Sequence, residues 1–293
     1  MKTQTITLRN YSEKSKIEMI NFYNEATEDY EFWSKDYNMH FGYFIPFRTN
    51  PFKRDTMLNQ MNAQVIKRLN IGKDKNRLID LGCGMGATMR YALKQYTNVI
   101  AYGVTLSNFQ IQQGNDLLKG KNGIILKENY NNTTFQSNSF DSAIAIESFC
   151  HSGHSEDSIK EAHRILKPGG RLVIADAFLK KERTQLCKGA HFAYEQLCDH
   201  WSLEQIENIN IYKQKLEKLG FKNIEIEDAS FRVAPSVLHV PFAITGFILK
   251  KLLSFKAIKR ESLHNLKGSF YALFSGLHMK SFGYYIVTAT KNI

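Results

Sequence analysis

The stretch that decides the fold reads Leu78-Ile-Asp-Leu-Gly-Cys-Gly-Met-Gly-Ala87. A short apolar run ends at three alternating glycines, and the helix-prone segment from Thr88 to Tyr96 follows. Glycine at 82, 84 and 86 allows positive φ angles and lets a ligand approach the main chain where no Cβ stands in the way. The helix that begins there directs its free N–H groups and its positive end to the same place. A strand, a bare loop and a helix N-terminus together predict a nucleotide-binding pocket.

The residues around the glycines limit which nucleotide is bound. The spacing Gly82-x-Gly84-x-x-Ala87 also fits the dinucleotide fingerprint, which requires an acid at the end of the next strand to hold the ribose. That strand, within Asn98 to Ser107, contains no acid, which argues against NAD or FAD. No Gly-Lys-Ser/Thr follows the glycines, so a P-loop is excluded.

The remaining pattern is Asp-x-Gly-x-Gly-x-Gly, which begins at Asp80. It resembles motif I of class I S-adenosylmethionine (SAM) methyltransferases. The resemblance implies that Asp80 bonds the loop amides or the amino group of SAM. It also implies a cradle for the methionine end of SAM at Gly82, Cys83, Gly84 and Gly86. For this motif alone, a glycine-rich turn without a ligand is the alternative.

Apolar strands alternate with helix-prone segments along the central part of the chain. We predict strands at Leu78–Leu81, Val99–Val104, Ile124–Lys127, Ser139–Ile146, Arg171–Ala177, Lys222–Glu227 and Phe282–Thr290. We predict helices at 60–69, 87–96, 107–119 and 156–167, the last ended by Pro168-Gly-Gly170, and a further helix opened by a capping box at Ser202-Leu-Glu-Gln205. This alternation predicts an α/β fold, and the resemblance makes it a Rossmann-like, seven-stranded, mostly parallel sheet with helices on both faces and a reversed last strand.

We predict a single domain, 1–293. One region precedes its core and a second region interrupts the core. Residues 1–60 are predicted as an N-terminal lid with a helix at Phe22–Trp33, residues 61–228 and 281–293 as the core, and residues 229–280 as a helical cap over the substrate pocket. Ahead of motif I stands Asn38-Met-His-Phe-Gly-Tyr-Phe44, which is too rich in glycine and aromatics for a helix. This part of the chain is similar to the segment that folds over SAM in sterol, tocopherol and cyclopropane-fatty-acid methyltransferases. It makes His40 and Tyr43 candidate catalytic residues.

The second strand ends in Thr105-Leu-Ser-x-x-Gln110, where most methyltransferases place an acid for the ribose. Sterol and cyclopropane enzymes are similar to this chain here, and the resemblance assigns Thr105, Leu106, Ser107 and Gln110 to the cofactor. After the third strand, Asn129-Tyr130 stands where the family usually has Asp and an aromatic residue. Asn129 could accept from the adenine amino group, and Tyr130 could stack on the ring.

The fourth strand ends in Ala145-Ile-Glu-Ser-Phe-Cys-His151, at the sheet edge where ligands bind in open α/β folds. The stretch closely resembles sterol 24-C-methyltransferases, which places Ile146 beside the cofactor and makes Glu147 and His151 candidate catalytic residues. A solvated strand-end acid is the alternative for Glu147 alone.

Two chemistries fit these residue types. If an alkene attacks the methyl group, a carbocation forms, which aromatic faces and a carboxylate stabilise and a base deprotonates. If a quinone, phenol, fatty acid or amine is the acceptor, Glu147 or His151 deprotonates or orients it. The resemblance puts C-methylation of an isoprenoid- or sterol-like acceptor first and O- or N-methylation second. A non-catalytic SAM-binding protein is a third hypothesis.

Composition limits the partners. The net charge is +11, and residues 229–293 contain nine Lys or Arg against one acid, Glu261. A basic surface interleaved with apolar side chains favours an anionic membrane or an anionic small molecule over nucleic acid. The four cysteines form no metal-binding pattern, so we predict reduced thiols and no metal. Without an N-terminal apolar segment or an apolar run of about 18 residues, we predict a cytoplasmic protein with peripheral membrane contact through 229–280 as an option. A homodimer stays open.

Overall fold

A computed structural model describes residues 33–253 and 260–292 of the chain. The helices in these ranges are α1 Arg54–Arg68, α2 Ala87–Gln95, α3 Asn108–Leu118, α4 Ser155–Ile165, α5 Lys188–His200, α6 Ile209–Lys218, α7 Ser230–Val237, α8 Val240–Leu253 and α9 Arg260–Ser275. The strands are β1 Asn76–Leu81, β2 Val99–Thr105, β3 Gly123–Lys127, β4 Phe140–Ile146, β5 Leu166–Leu179, β6 Phe221–Asp228 and β7 Phe282–Lys291. The predicted helix at 22–33 lies outside the described residues except for its last position.

The seven strands form a single sheet in the order β3-β2-β1-β4-β5-β7-β6. β7 runs antiparallel to both of its neighbours, and every other pairing is parallel. The predicted mostly parallel sheet with a reversed last strand is therefore confirmed. Since β2 and β4 flank β1 on opposite sides, the carboxyl ends of β1 and β4 form the crevice where ligands bind in such sheets.

Helices cover both faces because the central strands are apolar on both sides. In β4, Ala143 and Ala145 pack with α4 and α6, whereas Ile144 and Ile146 face the opposite cluster with α1, α2 and α3. Strands buried on both faces read as continuous apolar runs, which is how the sequence shows β1, β4 and β5. The two layers hold the strand ends, and the loops that follow them, in fixed positions.

Two predicted element boundaries are wrong. The helix before Pro168 ends at Ile165, and β5 begins at Leu166 with an irregularity before Arg171, where Gly169 takes a φ of +77°. The capping box at Ser202 opens no helix, and α6 instead begins at Ile209. The Asn208 side chain accepts from the backbone N–H groups of residues 210 and 211, so it supplies the cap.

Among the described residues between β6 and β7, where the sequence places the cap, there are three helices, α7 to α9. Residues 230–253 are long and apolar enough to cross a membrane by length and composition, which the sequence analysis does not anticipate. In the structure this segment is two helices separated by a turn at Leu238 and His239. The boundaries assigned to lid, core and cap stay predictions.

Candidate active site

A cavity of about 490 Å³ lies at the carboxyl ends of the central strands. Its wall joins the glycine loop, the ends of β2, β4 and β5, the 33–41 segment and helices α7 to α9. Thirteen of the predicted site residues line it: His40, Asp80, Gly82, Cys83, Gly84, Thr105, Leu106, Ser107, Gln110, Tyr130, Ile146, Glu147 and His151. Gly86, Asn129 and Tyr43 do not contribute to its wall.

The glycine loop has no room for side chains. Gly82 and Gly84 have φ angles of +91° and +53°, and a Cβ on Gly82 would lie 2.4 Å from the Cβ of Ser148. Gly86, with φ +72°, precedes α2, and its missing side chain admits the side chains of Ile125 and Met89. The first two glycines therefore shape the cavity, whereas the third permits packing behind the loop. The predicted contact of Gly86 with the cofactor stays a prediction.

Asp80 is a buried carboxyl group at the base of the loop, only 3% exposed. Burial raises its pKa to about 7, and no neighbouring cation counteracts that shift. A carboxyl group in this position, bordering a cavity, is suited to an ammonium group or to N–H donors of a bound ligand.

The end of β2 presents neutral polar groups instead of an acid. Thr105 Oγ1 donates to Gln110 Oε1 at 2.6 Å, which fixes the two side chains together. Ser107 caps α3 by accepting from the backbone N–H of Gln110 at 3.2 Å. Thr105 and Gln110 thus form a preorganised polar part of the cavity wall. Ser107 borders the cavity and also caps α3.

Only the second residue of Asn129-Tyr130 borders the cavity. The Tyr130 hydroxyl donates to the Ser148 carbonyl at 2.8 Å, so its ring is held in the wall. Asn129 Oδ1 accepts from the backbone N–H of Asn131 at 3.0 Å in a local turn, and this occupies the oxygen predicted to reach adenine. Asn129 does not border the cavity in this structure, and its contact with adenine stays a prediction.

Glu147 lies immediately after β4 and has a φ of +47°. Residues other than glycine adopt this backbone conformation only at a cost in conformational energy. Its Oε1 accepts from the Phe41 backbone N–H at 2.7 Å and from the Tyr284 hydroxyl at 2.9 Å. The pKa of Glu147 is raised to about 8, chiefly by burial and in part by the nearby Asp176, while the hydrogen bonds from Phe41 and Tyr284 lower it. At pH 7 the free carboxyl group is therefore mostly protonated, and a positively charged ligand beside it would lower its pKa and favour the carboxylate.

Asp176, near the end of β5, is a cavity residue that the sequence analysis misses. Its Oδ2 accepts from the Cys150 backbone N–H at 3.0 Å, and its Oδ1 from that of Ala177 at 2.8 Å. Burial raises the pKa of Asp176 to about 6. It is an acid near the end of a buried strand, as Asp80 is, so the same pattern could have found it.

His151 lies in the short 3-10 helix after β4 and borders the cavity. Burial lowers its pKa to about 4, so the imidazole is neutral at pH 7 and one ring nitrogen can accept a proton.

His40 and Tyr43 hold the 38–43 segment in place. His40 Nδ1 lies 2.8 Å from the Phe41 carbonyl, and Nε2 lies 3.0 Å from Asn62 Oδ1, so protein groups engage both nitrogens. The Tyr43 hydroxyl donates to Glu227 Oε1 at 2.7 Å, outside the cavity. These bonds give both residues a structural role, and the catalytic roles predicted for Tyr43 and His40 stay predictions.

The charges of the wall are one-sided. Asp80, Glu147 and Asp176 border the cavity, and none of its described lining residues is Lys or Arg. The half away from the glycine loop is apolar, with side chains that include Val233, Val237, Ile244, Phe247, Leu266 and Leu273. Carboxyl groups in an apolar enclosure without cations favour a ligand or an intermediate that carries positive charge. Within the described part of the chain, no three His, Cys, Asp or Glu residues are grouped to hold a metal ion.

Comparison with known proteins bears on this site directly. A methyltransferase domain family matches residues 79–174, which run from within β1 to within β5. The methyltransferase GfsG of Streptomyces halstedii is 27% identical over 227 residues, which cover 75% of this chain and 78% of that protein. The 24-methylenesterol C-methyltransferase 2 of Arabidopsis thaliana is 31% identical over 157 residues, 52% of this chain and 41% of that protein. This chain therefore spans less than half of the sterol enzyme.

The fold itself has close neighbours. The cyclopropane synthase MmaA2 from Mycobacterium tuberculosis superposes with a TM-score of 0.80 over 94% of this chain and 98% of that one, at 18% identity. The family match places motif I and the Glu147 segment in one methyltransferase domain. The chain contains a SAM-dependent methyltransferase domain.

The cavity of this methyltransferase fits SAM. SAM carries an ammonium group and a positively charged sulfonium, and the carboxyl of Asp80 and the glycine loop offer a site for the former. Thr105 and Gln110 offer neutral hydrogen-bonding groups for ribose hydroxyls, and the Tyr130 ring offers a face for adenine. These individual contacts stay predictions. The use of SAM as the methyl donor is shown by the comparisons.

Proposed function

We propose that the methyltransferase adds a methyl group to an alkene carbon of a small apolar acceptor of isoprenoid or sterol type. The observation that carries this proposal is the pair of buried acids, Glu147 and Asp176, between the glycine loop and an apolar cavity whose described lining contains no Lys or Arg. The similarity to a plant 24-methylenesterol C-methyltransferase supports the same acceptor class.

The residues of the cavity suit the demands of that reaction. Bound SAM supplies an electrophilic methyl group on a positively charged sulfur. The apolar wall from α7 to α9 holds a hydrocarbon acceptor and excludes water, which strengthens electrostatic interactions inside. Glu147, oriented by Phe41 and Tyr284, stabilises the positive charge that develops on the acceptor after carbon–carbon bond formation. Glu147 or His151 then accepts the proton whose loss restores the alkene.

The same residues are also compatible with a second acceptor class, a phenol or an amine. His151 is neutral at pH 7, so its imidazole can orient a phenol or amine acceptor through a hydrogen bond. Such O- or N-methylation needs a base but no stabilisation of a carbocation. Peripheral membrane contact through residues 229–280 belongs to our first proposal, because an apolar acceptor partitions into a bilayer.

Labelled SAM tests the proposal. The purified enzyme is incubated with methyl-labelled SAM and a lipid extract of the organism that carries the gene, and the products are identified by mass spectrometry. We expect label on carbon in a hydrocarbon-rich product that survives alkaline hydrolysis, and loss of that product with Glu147→Gln. Label only in methyl esters, ethers or amines would favour the second acceptor class. No labelled product from an enzyme that binds S-adenosylhomocysteine (SAH) would contradict both.

A further inference from the structure

Two parts of the chain that are distant in sequence form one exposed apolar surface. The turn at residues 44–52 runs beside α7, since the Phe44 N–H donates to the Arg232 carbonyl at 2.8 Å and His239 Nε2 donates to the Pro51 carbonyl at 2.6 Å. We call this the apolar face and define it by seven exposed side chains: Phe47, Phe52, Phe231, Leu238, Phe242, Leu249 and Leu253.

Within each helix of the apolar face, the exposed apolar side chains share one side. Phe231 and Leu238 are seven residues apart in and just after α7, and Phe242, Leu249 and Leu253 follow helical spacing in α8, so each set projects from one side of its helix. Phe47 and Phe52 are among the most exposed large side chains of the described structure, at 107% and 88%. Exposed apolar patches of this kind mark interaction sites.

The charge around the apolar face has a single sign. No acidic residue occurs between Asp36 and Asp55 or between Asp228 and Glu261. Exposed Arg48, Lys53 and Arg232 stand among the aromatic side chains instead. Bulky apolar groups with basic residues, and without acids, complement the negative surface of an anionic bilayer.

A second copy of the chain is a poorer occupant. In a two-fold symmetric contact the same patch would meet itself, so the basic residues of both copies would face one another. An anionic lipid surface neutralises these charges, whereas self-association brings like charges together. The charge pattern therefore selects the bilayer.

The apolar face is also a wall of the cavity. Leu238 borders the cavity and is 61% exposed, and the neighbouring Val237 and Val240 border it too. One layer of helices, α7 and α8, thus separates the candidate active site from the apolar face. An apolar acceptor that leaves a bilayer at this place enters the cavity without crossing water.

We propose that the apolar face docks the enzyme on an anionic lipid bilayer and that the acceptor enters the cavity from the membrane beside Leu238. This rests on the proposed function, because only an apolar acceptor needs such a route. The acceptor is then a membrane-dissolved lipid rather than a water-soluble metabolite.

Vesicle flotation tests the docking. The full chain is mixed with vesicles of phosphatidylcholine alone or with vesicles that also contain about 30% phosphatidylglycerol, an anionic lipid. We expect wild type to float with the anionic vesicles, and Arg48→Glu/Lys53→Glu or Phe47→Ser/Phe242→Ser to reduce the bound fraction about tenfold or more. The control Lys73→Glu/Lys75→Glu makes the same charge change on an exposed loop before β1 and should bind as wild type does.

Other outcomes would overturn the docking. Equal flotation of all variants, no flotation of wild type, or a dimer in light scattering that Phe47→Ser/Phe242→Ser dissolves would each contradict it. Methyl transfer to acceptor dispersed in cyclodextrin separates this proposal from the proposed function. The activity on the dispersed acceptor should be unchanged in Arg48→Glu/Lys53→Glu. If wild type binds vesicles but transfers no methyl group, the proposed function alone is refuted. If wild type transfers methyl groups but does not bind vesicles, membrane docking alone is refuted.

Discussion

The backbone N–H of Phe41 donates to Oε1 of Glu147 at 2.7 Å, across 106 residues of chain. This bond ties the segment before α1 to the carboxyl group at the end of β4. Gly42 adds to the connection, since its N–H donates to Ser236 Oγ of α7 at 2.8 Å. The candidate catalytic acid, the N-terminal segment and the cap therefore meet at one point.

Glu147→Gln tests the charge of that acid. Glutamine retains an oxygen that accepts from Phe41 and Tyr284, so we expect the fold and the SAH affinity to stay within about threefold of wild type. Loss of the carboxylate should lower kcat by about 100-fold or more, the range seen when one electrostatic or acid–base group is removed. Steady-state kinetics and SAH calorimetry measure both quantities. The control is Glu128→Gln, at a half-buried acid that accepts from Thr134. A wild-type rate in Glu147→Gln would remove Glu147 from the mechanism.

Tyr284→Phe tests how the acid is tuned. The Tyr284 hydroxyl stabilises the charged form of Glu147 and so lowers its pKa, in opposition to burial. Without the hydroxyl, the pKa of Glu147 should rise above about 8. If the carboxylate is the active form, the rising limb of the kcat/KM profile moves to higher pH by about one unit. A structural defect would lower the rate at every pH without moving the limb, and that result would speak against this tuning.

The raised pKa of Asp80 predicts that protons are released when SAM or SAH binds. With a pKa near 7, about half of the Asp80 carboxyl groups are protonated at pH 7 in the free enzyme. An ammonium group beside Asp80 lowers that pKa, so SAH binding should release about half a proton, and SAM, with its additional sulfonium charge, should release more. Calorimetry in buffers of different ionisation enthalpy measures the number. Asp80→Asn should abolish the SAH part, and equal release by wild type and variant would contradict the placement.

Gly82→Ala tests the shape of the loop. A Cβ there meets Ser148 at 2.4 Å in a backbone conformation with φ +91°, so we expect a loss of about 2 kcal/mol or more in stability and at least tenfold in SAH affinity. Gly120→Ala is a matched control, because Gly120 also has positive φ (+74°) but nothing lies within 4 Å of the added Cβ. It should cost about 1 kcal/mol and leave SAH binding intact. Denaturant titration and calorimetry compare the two, and equal SAH affinities would contradict a ligand role for the loop.

Local patterns allowed most of the fold to be predicted. Strands buried on both faces are continuous apolar runs, and the glycine loop and the Glu147 segment each directly follow such a run, so topology brings them together. The capping box at Ser202 failed because Asn208, six residues later, caps α6 instead. Local motifs compete with one another, and tertiary packing decides between them.

The residues that the sequence could not place depend on contacts across the chain. Tyr284 reaches Glu147 across 137 residues, from the reversed strand β7, and no local pattern reports such a partner. In His40-Phe-Gly-Tyr43, neighbouring aromatics face different surroundings, and only the structure shows that Phe41 borders the cavity while Tyr43 bonds Glu227. Asp176 differs from these, since its position at the end of a buried strand was visible.

The central claim is that the cavity stabilises positive charge on an apolar acceptor. It is tested most directly by the affinity of the SAH complex for an isoprenoid tertiary amine, cationic at pH 7, against the isosteric hydrocarbon, measured by calorimetry or competition. We predict that the amine binds about 100-fold more tightly or better, as mimics of a charged intermediate do, and that Glu147→Gln removes most of this preference. Equal affinities for the amine and the hydrocarbon would contradict the account.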